Sequence, residues 1–179
     1  MITLIIPIHP QEKLEIIYKC LNEIEKNYSD LKNIDEVILV SCIDKNVDIL
    51  KYKFKINIIV KKELNTRSNT MNYGFDLSKS NINCFLHVDT FLPNHYDILI
   101  INKLKQVDFC FFELKFDDNH FLFRGIEYSV NSYRCFPYGD QCLCVNKDFH
   151  LKYGKFPDIP VMEDFAYIEN IPKENRKNV

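Results

Sequence analysis

Ile2-Thr3-Leu4-Ile5-Ile6-Pro7-Ile8 opens the chain as a β-branched run that is apolar almost throughout. A strand with one face in water alternates apolar with polar residues, whereas one covered on both faces does not. This stretch therefore reads as a strand of a parallel sheet packed between two layers. Pro10 follows and is expected to start a helix. In it Leu14, Ile17, Leu21 and Ile24 recur at helical spacing between Lys and Glu residues, until Asn27-Tyr28-Ser29-Asp30 end the pattern. Residues 36–40, Glu36-Val37-Ile38-Leu39-Val40, form a second continuous run. Strand, helix and strand within about 40 residues make a βαβ unit, whose crossover is right-handed.

The alternation continues outward. A third strand fits residues 56–60. Its lysine-rich surroundings, Lys51, Lys53, Lys55, Lys61 and Lys62, read either as a phosphate-attracting patch or as solvated protection of a sheet edge. Residues 67–77 predict a helix with Met71 and Phe75 one turn apart, and residues 83–88 a buried strand ending at His87-Val88-Asp89-Thr90. Further expectations are helices over 99–104, 125–133 and 162–169, a long aromatic strand over 107–116, a short strand over 142–145 and a polar tail over 174–179 that frays. The pattern predicts one α/β domain spanning 1–179, with an open, mostly parallel sheet and helices on both faces.

The chain has 179 residues, with 23 Lys+Arg against 25 Asp+Glu for a formal charge of −2. A dedicated nucleic-acid binder normally carries a basic excess, so that class is excluded. At 46% hydrophobic and 27% charged residues, the composition is that of a globular core and not of a disordered segment. The apolar runs are strand-length, well short of the ~20 residues a bilayer span needs. The opening run has no basic region and no small-residue cleavage site, so the expected location is cytoplasmic. The seven Cys include no C-x-x-C pair and read as reduced and mostly buried, with Cys142 and Cys144 sharing one face of a strand.

Ligands of open α/β sheets sit at the carboxyl ends of the parallel strands, where loops and helix N-termini supply donors. Three polar stretches follow apolar runs in this way: Pro7-Ile8-His9, Ser41-Cys42-Ile43-Asp44 and His87-Val88-Asp89-Thr90. In the last, His87 and Asp89 alternate on one face as the strand ends, so they can converge on a divalent ion completed by water and phosphate oxygens. The same residues also suit a loop cap and a packed imidazole. Glu163-Asp164 at a helix start serve equally as dipole complements or as a general base that takes the proton of an attacking hydroxyl.

Taken in order, several stretches resemble the family-2 glycosyltransferases, the GT-A nucleotide-sugar enzymes, and within them a small bacterial subgroup with His-x-Asp-Thr in place of Asp-x-Asp. They are Leu4-Ile5-Ile6-Pro7, Arg67 with Met71-Asn72-Tyr73-Gly74, Phe85-Leu86-His87-Val88-Asp89-Thr90-Phe91-Leu92-Pro93, Tyr138-Gly139-Asp140-Gln141, and the run from Gly154 to Asp164. The resemblance implies an inverting sugar transfer from a nucleotide-sugar donor to an unknown acceptor, with Mg²⁺ or Mn²⁺. It implies Asp89 and His87 as metal ligands, and Pro7, Asp44, Arg67, Asn72 and His87 on the donor side. Asp140, Gln141 and Glu163 would lie on the acceptor side, with Asp164 as catalytic base. Two departures stand out. The loop after the second strand, Ser41-Cys42-Ile43-Asp44-Lys45, lacks the family's acidic, Gly- and Ser-rich character. The family's chain also continues well past the Glu-Asp helix, into a part that helps cover the acceptor site and can approach a membrane surface. Both departures keep open a catalytically inactive descendant that binds a nucleotide or a partner.

Overall fold

The computed structural model describes residues 1–28, 32–118, 120–132 and 139–176. Ser29 and Asp30, the expected helix end at Tyr133, and Cys135, Tyr138 and the last three residues lie outside them. A six-stranded sheet runs in the order β3-β2-β1-β4-β6-β5, with β1 Ile2–Ile8, β2 Ile34–Ser41, β3 Ile56–Val60, β4 Ile82–Phe85, β5 Phe109–Cys110 and β6 Leu143–Asn146. The first four strands are mutually parallel, and β6 runs antiparallel to both its neighbours.

Every residue of β1 is buried, and its side chains divide between two cores. Ile2, Leu4, Ile6 and Ile8 pack with Ile17, Leu21 and Ile24 of α1 (Leu14–Tyr28) and with Tyr96 and Ile100 of α3 (Tyr96–Leu104). Ile5 faces the other way, onto Met71 and Phe75 of α2 (Arg67–Leu77) and onto Phe149, Tyr167 and Ile168. The last three belong to α5 (Lys147–Tyr153) and α6 (Glu163–Glu169). The continuous apolar run is thus the signature of a central strand between two helical layers. Each of its fully buried isoleucines contributes roughly 1.5–3 kcal/mol of transfer free energy.

Helix α2 lies close against β1 and β2 because Gly74 has no side chain. A Cβ built there meets Ile5 Cγ2 at 2.5 Å and Val40 Cγ2 at 3.2 Å. Gly74→Ala gains about 1 kcal/mol of helix propensity but incurs an overpacking cost of roughly 1–3 kcal/mol. The expected net result is a lower urea midpoint with an unchanged m value.

Several boundaries differ from the expected ones for identifiable reasons. The first helix begins at Leu14, not Pro10, because residues 9–12 form a turn closed by Glu12 N–H on His9 O at 2.9 Å. The fourth strand stops at Phe85. Leu86 N–H still donates to Ile5 O, but Thr90 N–H then closes a turn on His87 O at 3.1 Å, so His87 and Asp89 lie in a turn and do not alternate along a strand. The aromatic strand expected over 107–116 shrinks to Phe109–Cys110 because its partner β6 begins only at Leu143. Farther along, side chains of α4 (Phe121–Ser132) take up the freed backbone: Asn131 Oδ1 accepts from Leu114 N–H at 2.8 Å, and Glu127 Oε1 from Phe116 N–H at 2.6 Å. Residues 173–176 of the tail form a 3-10 turn. Around β3, one of the two edge strands, Lys55 pairs with Glu36, while Lys51 and Lys61 lie over the rings of Tyr18 and Tyr73.

Cys20, Cys84, Cys110, Cys142 and Cys144 are buried free thiols and Cys42 is partly exposed. Among the described residues no helix is long and apolar enough to cross a membrane.

Candidate functional site

A cleft of about 530 Å³ opens where the parallel strands end, within the range of small-molecule sites. Pro7, Ile8 and His9 line it from the end of β1, and Cys42 from the end of β2. Lys62 and Leu64 enter after β3, Arg67 and Thr70 at the start of α2, and His87 and Asp89 after β4. Reversal of β6 brings a fifth segment to the same side. Phe85 at the end of β4 pairs with Leu143 at the start of β6, so the 3-10 turn Gly139–Gln141 arrives beside the β4 loop.

His87 sits at the junction. Its Nδ1 lies 3.1 Å from Asp140 Oδ1. That hydrogen bond holds the Asp140 carboxyl below its ordinary range against the opposing effect of burial, with the His87 and Arg67 charges adding to it. An ionised Asp140 can only accept, so Nδ1 carries a proton toward it. Among the described residues two groups bring one ligand atom each to within 4.8 Å of one another: His87 with Asp89 and Asp140, and His87 with Glu163 and Asp164.

The carboxylates of α6 reach this point through tethers from α2. Thr66 caps α2, its Oγ1 accepting from Asn69 N–H at 3.3 Å and donating to Asp158 Oδ1 at 2.7 Å. Asn72 clamps the Phe156 peptide from both sides, donating to its carbonyl at 2.9 Å and accepting from its N–H at 3.1 Å. Lys155 pairs with Asp76, and Arg67 Nε–H donates to Glu163 Oε1. Residues 155–163 are thereby fixed along α2, with Glu163 fully buried and Asp164 only 5% exposed. Burial, reinforced by the neighbouring Glu163 charge and weakly by Asp140, pushes the Asp164 carboxyl up to about 6, with His87 and Arg67 opposing. Glu163 Oε2 is buried without a hydrogen-bond partner.

Comparison of the whole fold adds an independent line. A mannosyltransferase, PcManGT from Pyrobaculum calidifontis, solved with GDP-Man and Mn²⁺, superposes with a TM-score of 0.70 at 14% identity over 93% of this chain and 50% of its own. TarS residues 1–349 from S. aureus gives 0.67 at 14% identity over 94% and 54%, and a second structure of it holds UDP-GlcNAc. The fold is GT-A-like. A 4-diphosphocytidyl-2C-methyl-D-erythritolsynthase from Anaerococcus prevotii shares it more distantly, with a TM-score of 0.53 at 18% identity over 94% of this chain and 83% of its own. The chain spans about half the length of the first two neighbours. No protein-family model matches the sequence, and no curated protein matches it.

Of the residues singled out in the sequence, Pro7, Arg67, His87 and Asp89 line the cleft, and Asp140, Glu163 and Asp164 gather around His87. Asn72 does not line it, its amide being committed to Phe156. Nor does Asp44, whose carboxylate accepts from Asn46 N–H at 2.8 Å in its own turn. Buried Gln141 braces the turn from behind, its Nε2–H donating to Phe112 O at 2.9 Å. Glu12, Asn65, Thr66 and Thr70 line the cleft without having been singled out. Glu12 follows the end of β1, and Asn65 and Thr66 lie between β3 and α2, so nearness to a strand end could have found these three, whereas Thr70 lies within α2.

Proposed function

We propose that this chain is a metal-assisted, inverting glycosyltransferase that moves a sugar from a nucleotide-sugar donor to an acceptor hydroxyl. The observation that carries this reading is the position of His87. It belongs to two overlapping groups, one with Asp89 and Asp140, suited to a cation, and one with Glu163 and the buried Asp164, whose affinity for protons is raised, suited to a base. The GT-A-like fold and neighbours solved with GDP-Man and Mn²⁺ or with UDP-GlcNAc support it.

The donor set fits a hard divalent ion. One imidazole and two exposed carboxylates converge, enough for Mg²⁺ or Mn²⁺ when water and phosphate oxygens supply the rest. Held by Asp89, His87 and Asp140, such an ion supplies neutralisation of the charge that grows on the departing diphosphate. Arg67 and Lys62 add fixed positive charge along the cleft. Asp164 takes the acceptor hydroxyl's proton as that oxygen attacks the anomeric carbon. The bond from anomeric carbon to phosphate oxygen breaks, and its electron pair leaves with the nucleoside diphosphate. One base and no protein nucleophile make a single displacement, which inverts the anomeric centre. Glu163, held by Arg67, positions Asp164.

A thermal-shift screen of nucleotide sugars with and without Mn²⁺ tests the reading. A donor at 100 times its dissociation constant stabilises the fold by about 2.7 kcal/mol, and the shift is expected to require the metal. Asp89→Ala is expected to abolish the metal dependence while leaving the unliganded melting temperature unchanged, because Asp89 is exposed. Equal Mn²⁺ affinity with and without nucleoside diphosphate overturns the metal assignment. Metal-independent nucleotide binding without turnover identifies a binding-only descendant, and release of pyrophosphate a nucleotidyl transfer.

A further inference from the structure

Thiols from four elements converge in the core behind the turn Gly139–Gln141. Cys84 of β4, Cys144 of β6 and Cys110 of β5 stand in register across three neighbouring strands, so their side chains share a face of the sheet. Cys142, two residues before Cys144, and Cys20 of α1 join them in the same packed cluster. All five are buried, with Cys84, Cys142 and Cys144 fully so. Cys142 Sγ lies 4.0 Å from Cys144 Sγ, and the Cys84 thiol interacts with both. None of these groups takes part in the chemistry derived above.

Two observations set the cluster apart from ordinary core packing. Cys142 has a φ of 53°, a left-handed conformation uncommon for a residue with a side chain, where the turn that carries Asp140 passes into β6. Strain of this kind persists where the surroundings or a function hold it. The second is Tyr96, 1% exposed, whose hydroxyl has no hydrogen-bond partner and feels charge on Cys84 and Cys142. A thiol is a weak acceptor, whereas a thiolate held by a metal ion is a strong one. An ion on these sulfurs therefore supplies the acceptor that the buried hydroxyl lacks.

Sulfur ligands select soft ions. An ion that bridges two sulfurs 4.0 Å apart through metal–thiolate bonds of about 2.3 Å makes an angle of roughly 120° between them. Among the described residues, three ligand atoms gather within 4.8 Å of one another around His87 but not among the sulfurs. A tetrahedral Zn²⁺ shell is thus not preformed, and an ion of low coordination number fits better. We propose that Cys142 and Cys144, with Cys84 as a third ligand, hold a univalent soft ion of the Cu(I) class. As the ion bonds to sulfur, one S–H bond breaks and its proton passes to solvent. No electron is transferred, and the buried cluster stays neutral, which avoids the cost of an uncompensated interior charge. The carboxylate and imidazole group at His87 suits hard ions instead, so this site stands or falls apart from the sugar-transfer reading.

Anaerobic titration with Cu(I) in competition with a Cu(I) chelator tests it, using the full chain with Cys42→Ser and Cys135→Ser so that the five clustered thiols are the ones that remain. One bound ion per chain is expected, with a sulfur-to-copper charge-transfer band, a raised melting temperature and no displacement by excess Mn²⁺. X-ray absorption should place two or three sulfurs at about 2.3 Å from copper, with no nitrogen or oxygen. Adding Cys142→Ser, or Cys144→Ser where the first variant fails to fold, is expected to weaken binding by more than about 100-fold, beyond what loss of an outer-shell group costs. No binding against the chelator, nitrogen or oxygen in the copper shell, displacement by Mn²⁺, or unchanged affinity in the folded serine variants overturns the assignment.

Discussion

Asp164→Asn is expected to lower turnover by a factor on the order of 10²–10⁴, to leave donor binding intact, and at the same time to make the folded chain more stable. The two effects have one origin. Burial and the Glu163 charge raise the Asp164 carboxyl from an ordinary 3.8 to about 6, placing a base near the pH at which it must work. The folded chain then holds that proton more tightly than the unfolded chain does. Ionised Asp164 therefore costs stability above about pH 6, and costs nothing once the pH falls below 3.8 and both states are protonated. A shift of about two units corresponds to roughly 3 kcal/mol. The amide removes this penalty, so urea unfolding at pH 8 should show Asp164→Asn more stable by a few kcal/mol, with the gain vanishing toward pH 3.5. Wild-type turnover should fall as pH drops through about 6. Glu163→Gln should change turnover only through positioning. Full turnover in Asp164→Asn with the true acceptor removes the base assignment.

The sequence pattern held where a segment's fate is settled locally. β1 runs over the residues expected because a continuous apolar run has one way to be buried, and α2 begins at Arg67 because Thr66 caps it. It failed where distant partners decide. Residues 111–116 carry the aromatic composition of a strand, yet their backbone pairs with Gln141, Asn131 and Glu127 once β6 has run out. α5 was not foreseen, since Lys147–Tyr153 spans barely two turns and shows its core-facing side only at Phe149 and His150. The site divides in the same way. Strand-end residues such as Pro7, His87 and Asp89 could be read from position alone. The placement of Asn72 depends on a peptide 84 residues away, and the turning aside of Asp44 on a bond within its own loop. Glu12 escaped notice because the helix was expected to start before it, which makes it an ordinary charge on a solvated face.

The other large effect is expected at Arg67, where stability and catalysis can be separated. Glu163 is fully buried, while the Arg67 side chain remains 41% exposed. Arg67→Met therefore keeps the aliphatic packing, removes the only described partner of Glu163 and leaves its charge uncompensated in the interior. Breaking a buried pair in this way costs about 3–5 kcal/mol, and the partial exposure of Arg67 places the expected loss near the lower end. The denaturation midpoint should fall at unchanged m value. Adding Glu163→Gln to Arg67→Met removes the stranded charge and should recover part of the loss, with a coupling of about 1–3 kcal/mol in the double-mutant cycle. A purely steric role for Arg67 predicts no such recovery. The pH profile supplies a second readout. Arg67 lowers the proton affinity of Asp164, so in Arg67→Met the acidic limb of turnover should move above about pH 6. In the double variant, loss of the Glu163 charge should draw it back, because that charge raises the same carboxyl. An acidic limb that stays put in both variants would mean that the group titrating in turnover lies elsewhere.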